Sequence, residues 1–326
     1  MPVLSVRHCL TNKMSLYEEL SAALVGTSAV LLQNEPLKNH CTFKIGGDAE
    51  VFLCPKTEKE LTAALKIVKK LNVPLHILGC GSNVLISDDG LKGLTVKTSG
   101  GMTDIMYLGD GIISCGAGTP LSRLCTFALE NELTGLEFAY GIPGSVGGAV
   151  YMNAGAYGGE IKNVLMSVRS VDKSGEDITE TLAEELSLSY RSTPFMTNGR
   201  IITAAYFRLQ KGTRDEIMSR MIELMNKRKA SQPLEYPSAG STFKRPTNGY
   251  AAAHIDECGL KGLSHGGAAV STKHAGFVIN TGNATCKDVL SLMHEITDTV
   301  ERMHGAKLEP EVEYLCNDNC TNTINN

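Results

Sequence analysis

The chain has 326 residues and a formal net charge of -4. Hydrophobic residues make up 42% and charged residues 20%, which supports packed cores and argues against disorder as the theme. The length suggests two or three domains, and the balance without a dominant basic face argues against nucleic-acid or polybasic membrane partners.

Residues 1–13 show no pattern and read as a disordered extension. A helical pattern starts at Met14, and the apolar run Ser21 to Leu32 reads as a helix running into a strand, too short to span a bilayer. After His40 the chain alternates like strands broken by Gly46-Gly47. Thr57 and Glu60 then form a capping box ahead of a stripe at Leu61, Ala64, Leu65, Val68 and Leu71, which predicts a helix. "VPLHILG" reads as a buried strand, completing a strand-helix-strand unit that ends at "GCGSNVLISDDG". From Leu94 to about Leu209, short strands with Gly- and Asp-rich turns predict an antiparallel-rich sheet, interrupted by the helix "TPLSRLCTFALENELTG". From Asp215 a separate α+β unit begins. Its last helix is capped by Thr285 and striped by Val289, Leu292, Met293, Ile296, Val300 and Met303. "AKLEPEVEYL" reads as a closing strand.

Ten cysteines are scattered singly, with no C-x-x-C. Cys316 and Cys320, the close pair, sit in an Asn-rich tail without a histidine. This pattern argues against zinc and for reduced thiols in a cytoplasm.

The segment Gly141 to Glu160 carries glycine at seven of its twenty positions. "GCGSNV" and "GAGTPL" fail the G-x-G-x-x-G fingerprint at Val84 and Leu121. There is no phosphate-binding G-x-x-x-x-G-K-[ST]. Bare backbone still lets amide groups approach a ligand. Either glycine segment alone reads as tight turns or bulges. Together, with Ser82, Asn83, Ser145 and Asn153 as polar contacts, they point to a large phosphate-containing cofactor.

Seven stretches carry a family resemblance from about Asn39 to Leu315: "TFKIGG", "LGCGSNVLISDDG", "GIPGSVGGAVYMNAGAYGGE", "YRSTPF", "PSAGSTFKRP", "GLKGLSHGGAAVSTKHAGFVIN" and "LEPEVEYL". In content and order they resemble the UDP-N-acetylenolpyruvoylglucosamine reductases, the MurB family. The spacing before "LSYRSTPF" resembles the shorter of two family types, without an inserted tyrosine-containing loop.

The resemblance implies an α+β chain. An FAD-binding fold of the vanillyl-alcohol-oxidase (PCMH) type would have two subdomains, 39–98 (completed by 308–316) and 99–211. A substrate domain over 212–307 would follow, with 1–38 as an N-terminal extension and helix and 317–326 as a tail. FAD would be held noncovalently by Gly79, Cys80, Gly81, Ser82, Asn83, Val84 and Leu85 on one loop. The other loop would use Gly141, Ile142, Pro143, Gly144, Ser145, Gly147, Gly148, Ala149, Asn153, Ala154, Gly155 and Ala156. The implied reaction is NADPH-dependent reduction of the enolpyruvyl ether UDP-N-acetyl-3-O-(1-carboxyvinyl)-glucosamine to UDP-N-acetylmuramate, for peptidoglycan.

Arg191 matches the family's active-site arginine, whose planar fork suits a carboxylate. Glu311 matches its catalytic glutamate and Ser241 its proton donor. Tyr190, Lys244, Arg245 and Lys273 are candidates for substrate or NADPH. Without the motif context, Arg191 reads as a surface ion pair, Glu311 as solvated, and Ser241 as a turn residue. A flavin oxidase of the same fold and a nucleotide-binding protein without redox chemistry are the alternatives. The chain is expected to act as a cytoplasmic monomer with no metal, nucleic-acid or membrane partner.

Overall fold

The structure is a computed structural model and describes residues 14–317. The expected extension over residues 1–13 lies outside the described residues. Helix α1 (Leu16–Ala23) starts with a Ser15–Glu18 capping box and buries Leu16 and Leu20. Strand β1 (Val30–Pro36) pairs antiparallel with β2 (Asp48–Cys54), from Val30 opposite Cys54 to Pro36 opposite Asp48. Residues 14–38 therefore build onto the first sheet. Helix α2 (Glu58–Leu71) opens with the Thr57–Glu60 box and buries Leu61, Ala64, Leu65 and Val68.

Strands β3 (Leu75–Leu78), β4 (Val84–Ile86) and β5 (Leu91–Lys97) follow. The first sheet runs β1-β2-β5-β3, with β5 parallel to both β2 and β3. Strand β3 lies at its edge and Ile77 stays 37% exposed, unlike the buried strand its apolar run suggests. An edge strand has a neighbour on one side only, so an apolar run does not ensure burial.

The second sheet begins with the hairpin β6 (Ile105–Gly109) and β7 (Ile112–Gly116). Helix α3 (Leu121–Glu130), the short strand β8 (Leu133–Thr134) and helix α4 (Val146–Tyr151) lie between it and a two-residue hairpin, β9 (Gly155–Ala156) with β10 (Gly159–Glu160). Then come β11 (Leu165–Val171), β12 (Ile178–Leu182), β13 (Ile201–Arg208) and β14 (Gln210–Lys211), the last paired with β8. The sheet order is β12-β11-β13-β7-β6, all antiparallel. Ile113, Leu124, Val146, Val150, Val168, Ala205 and Phe207 pack under α3 and α4. Each such large side chain contributes about 1.5–3 kcal/mol of burial.

Beyond lie α5 (Arg214–Ser231), α6 (Ala251–Glu257), an antiparallel sheet of β15 (Ser264–His265), β16 (Ala268–Val270) and β17 (Val278–Asn280), and α7 (Cys286–His304). Thr285 and Asp288 cap α7, and Val289, Leu292, Met293, Ile296 and Val300 are buried. Met303 is 56% exposed. Met303 keeps the direction of the stripe but lies in the last turn of α7, where the buried stripe has ended at Val300. Only Glu313–Leu315 of the closing segment is a strand, β18, parallel to β4. Pro310 interrupts the earlier part, which borders residues 242–244.

One apolar cluster joins Phe43, Phe52 of β2, and Leu85 and Ile86 of β4 to Phe243, Val289, Leu292 and Val312. Cys41, Cys54, Cys80, Cys115, Cys125, Cys258 and Cys286 form no disulfide. Burial pushes the Cys115 and Cys286 thiols up to about 12, so both stay protonated and unreactive. Among the described residues no helix is long and apolar enough to cross a membrane.

Candidate active site

The turn after β3 and the segment leading into α4 face each other. A Cβ on Gly79 would lie 2.4 Å from Ser145 Oγ. Gly81 has φ +66°, and a Cβ there would lie 2.3 Å from the His40 carbonyl oxygen. Gly144 and Ser82 approach across the same gap, at 3.7 Å from a Cβ on Gly144 to Ser82 Oγ. The two loops thus present backbone to each other, which only glycine permits at Gly81. Ser145 is buried and its Oγ accepts from Gly148 N at 3.3 Å, capping α4. The glycine-rich segment read as a wrapping loop therefore contains a one-and-a-half-turn helix. Gly147 seats that helix against Ala117, whose Cβ would be 2.9 Å from a new one. Burial raises the Cys80 thiol, which keeps it neutral beside Ser99 and Ser145.

Asn153 is buried at φ 41°. Its Nδ2 donates to Glu160 Oε2 at 2.8 Å and to the Ser189 carbonyl at 3.0 Å, and its Oδ1 accepts from Lys162 N at 2.9 Å. Both amide hydrogens are spent within the chain. Asn153 so fastens the α4 segment to the tight turn Ser189–Ser192, where the end residues exchange backbone hydrogen bonds of 3.0 and 3.2 Å.

That turn presents Tyr190 and Arg191. Arg191 sits at φ 51°, a left-handed conformation costing a non-glycine residue about 1–2 kcal/mol. Its Nε donates to Glu311 Oε1 at 2.5 Å, with both side chains largely buried. Burial pushes the Glu311 carboxyl above its ordinary range, against the lowering effect of Arg191 and Lys244. The Glu311 amide donates to the Thr242 carbonyl at 2.8 Å, and Lys244 N to the Glu309 carbonyl at 2.8 Å. Ser241, exposed and next to Thr242, is carried to this edge by that pairing. Asn83 Nδ2 donates to the Glu311 carbonyl at 2.9 Å, joining the pair to the first glycine loop.

Tyr190 is 50% exposed, its hydroxyl accepts from Arg245 N at 3.3 Å, and the Arg191 guanidinium lies 5.1 Å from its ring. Arg245 stacks on Tyr250 at 4.4 Å. Lys244 Nζ lies 3.5 Å from Glu309. Lys273 is fastened to the end of α5, with Nζ donating to the Lys229 carbonyl at 2.8 Å. Two features escape a reading of the sequence. Arg228, on α5, is half-buried against the second glycine loop, where a Cβ on Gly141 would meet its Nε at 3.0 Å; partial burial works against its charge. Glu313, two residues beyond Glu311, is hydrogen-bonded by the Tyr151 hydroxyl of α4, and burial raises its carboxyl as well. The two-residue spacing was a signal for Glu313; nothing in "NKRKAS" singled out Arg228.

Residues 49–180 match the FAD binding domain family, and residues 232–315 the C-terminal domain of UDP-N-acetylenolpyruvoylglucosamine reductase. The facing bare loops, whose close approach a Cβ would block, fit an extended cofactor such as FAD. A UDP-N-acetylenolpyruvoylglucosamine reductase of Clostridium novyi is 47% identical over 86% of this chain and 90% of its own length. A Bacillus cereus protein named UDP-N-acetylenolpyruvoylglucosamine reductase 2 is 46% identical over 94% and 99%. The crystal structure of the MurB reductase from Thermus caldophilus superposes with a TM-score of 0.74 at 34% identity, covering 88% of this chain and 99% of that one. With relatives this similar over nearly their whole length, and a site assembled from the motifs they would share, the chain belongs to the UDP-N-acetylenolpyruvoylglucosamine reductase family.

Proposed function

We propose that the protein reduces the enolpyruvyl ether of UDP-N-acetylglucosamine to UDP-N-acetylmuramate, with NADPH as reductant, in peptidoglycan synthesis. The carrying observation is the buried Arg191–Glu311 pair, bordered by Ser241 and tied through Asn83 to the glycine loop. FAD, held by Gly79–Leu85 and the Gly141–Ala156 segment, supplies hydride from its N5 when bound.

The protein's residues handle position, charge and the proton. Arg191 holds the substrate carboxylate, on which negative charge accumulates as the methylene carbon gains hydride. Glu311 keeps the Arg191 fork aimed; its raised carboxyl reflects the apolar wall that makes this cation effective. Ser241 delivers the proton to the remaining carbon, completing addition of a hydride and a proton across the double bond. Lys244, Arg245, Tyr190 and Arg228 supply cationic or hydrogen-bonding groups for the diphosphate of the substrate or of NADPH, with Lys273 further along the same side. This reading divides the chain into FAD-binding parts over 39–98 and 99–211 and a substrate part over 212–307, and takes it as a cytoplasmic monomer.

Stopped-flow flavin absorbance tests the role of Ser241. Ser241→Ala keeps rapid bleaching by NADPH, while reoxidation by the enolpyruvyl sugar slows by about 10²–10⁴-fold. Reoxidation at the original rate overturns the assignment.

A further inference from the structure

Helices α6 and α7 end side by side. His254 lies in α6, Glu257 closes it, and His304 closes α7. One ligand atom from each lies within 4.8 Å of the other two. His254 Nδ1 is 3.8 Å from Glu257 Oε2, and His304 Nδ1 is 3.7 Å from the same oxygen. The imidazole centroids are 5.1 Å apart.

The tautomer of His254 follows from its partner. Its Nε2 lies 2.6 Å from the Asn248 carbonyl oxygen, which only accepts, so Nε2 carries the proton and Nδ1 presents a lone pair. A histidine whose outer N–H is held by a backbone carbonyl is fixed in orientation, as metal-ligating imidazoles are. His254 Nδ1, the atom that faces Glu257, is buried without a hydrogen-bond partner. Buried polar atoms are rarely left so, because the desolvation cost is not recovered. The two helix C-termini add partial negative charge at the same place, which favours a cation.

We propose that His254, Glu257 and His304 bind one divalent transition-metal ion of the zinc type. Two imidazoles and one carboxylate suit zinc, while magnesium and calcium prefer oxygen donors throughout. Tetrahedral coordination at about 2.0–2.2 Å puts ligand atoms about 3.4 Å apart, so the pairs near Glu257 close by less than about half an ångström. Glu257 is 59% exposed and free to rotate inward. A water completes the fourth position. The ion joins the end of α7, which leads into the Glu311 segment, to α6, which follows the segment carrying Ser241. Asn248, in the loop between Lys244 and α6, is held in turn by His254. The role is a structural clip outside the reductase chemistry.

The flavin-loaded protein, without an affinity tag and stripped with a chelator, is titrated with Zn²⁺ alone by calorimetry, with melting followed in parallel. One ion per chain binds with micromolar or tighter affinity and raises the melting temperature, and Mg²⁺ does neither. Glu257→Gln and His304→Gln each weaken binding by at least about the 10–100-fold that loss of a ligand's outer partner costs, while flavin content is unchanged. Glu257 is exposed, so its variant folds even if a histidine variant does not. Absence of saturable binding overturns the site. So does zinc binding unchanged in both variants, or melting that follows pH but not zinc, which would leave the cluster a proton-linked ion pair.

Discussion

Gly79 shows how one missing side chain governs the approach of the two glycine loops. Its backbone φ lies outside the left-handed region, so alanine is conformationally allowed there, yet the new Cβ would lie 2.4 Å from Ser145 Oγ. Gly79→Ala therefore forces the two loops apart and lowers bound flavin per chain, measured by absorbance. Adding Ser145→Ala removes that oxygen, leaves the residue-145 Cβ as the nearest contact at 3.6 Å, and restores part of the flavin at the loss of a helix cap worth about 1 kcal/mol. The sequence shows that these positions are bare. It also marks Ser145 and Asn153 as polar contacts, and here the structure adds what composition does not carry: both side chains bind the chain itself. Asn153 links loop to turn, and Arg191 keeps its left-handed backbone because that turn is tied on both sides.

Among the elements, α2 and α7 were legible because caps and apolar stripes are local signals repeated every turn. Helix α4 was not. Gly147 and Gly148 disfavour helix by about 1 kcal/mol each, and the packing on Ala117 and the Ser145 cap outweigh that. Glu60 goes beyond its capping box. Its buried carboxylate accepts from the backbone amides of Lys56 at 2.5 Å, Thr57 at 3.1 Å and Ser28 at 3.2 Å, holding the loop before β1 to the start of α2. Glu60→Ala strands these amides and destabilises the protein by about 2–4 kcal/mol, read as a lower urea midpoint with unchanged slope.

The whole molecule closes when β18 docks parallel to β4, and this brings two partly buried carboxylates, Glu311 and Glu313, to the glycine loops. Burial is the largest influence on Glu313 and raises it above its ordinary 4.5, against Tyr151 and Lys244. A raised acid favours its neutral form in the folded state. The penalty is thus absent below 4.5 and complete once pH passes the folded value. Glu313→Gln matches the parent in thermal melts well below 4.5 and melts higher near neutrality. A variant that loses stability near neutrality would mean that the charge is compensated by its neighbours.

Taken by itself, the sequence determined the capped and striped helices, the α+β alternation, the two bare loops and the identity of Arg191, Ser241 and Glu311 as motif residues. Those features rest on periodicity, caps and short motifs, which neighbouring residues encode. The tertiary structure alone decided that Glu311 meets Arg191, that Arg228 is desolvated against Gly141, and that His304 comes to His254 and Glu257. Each joins parts of the chain far apart in sequence, and such contacts follow from how the sheets and helices bury their apolar faces.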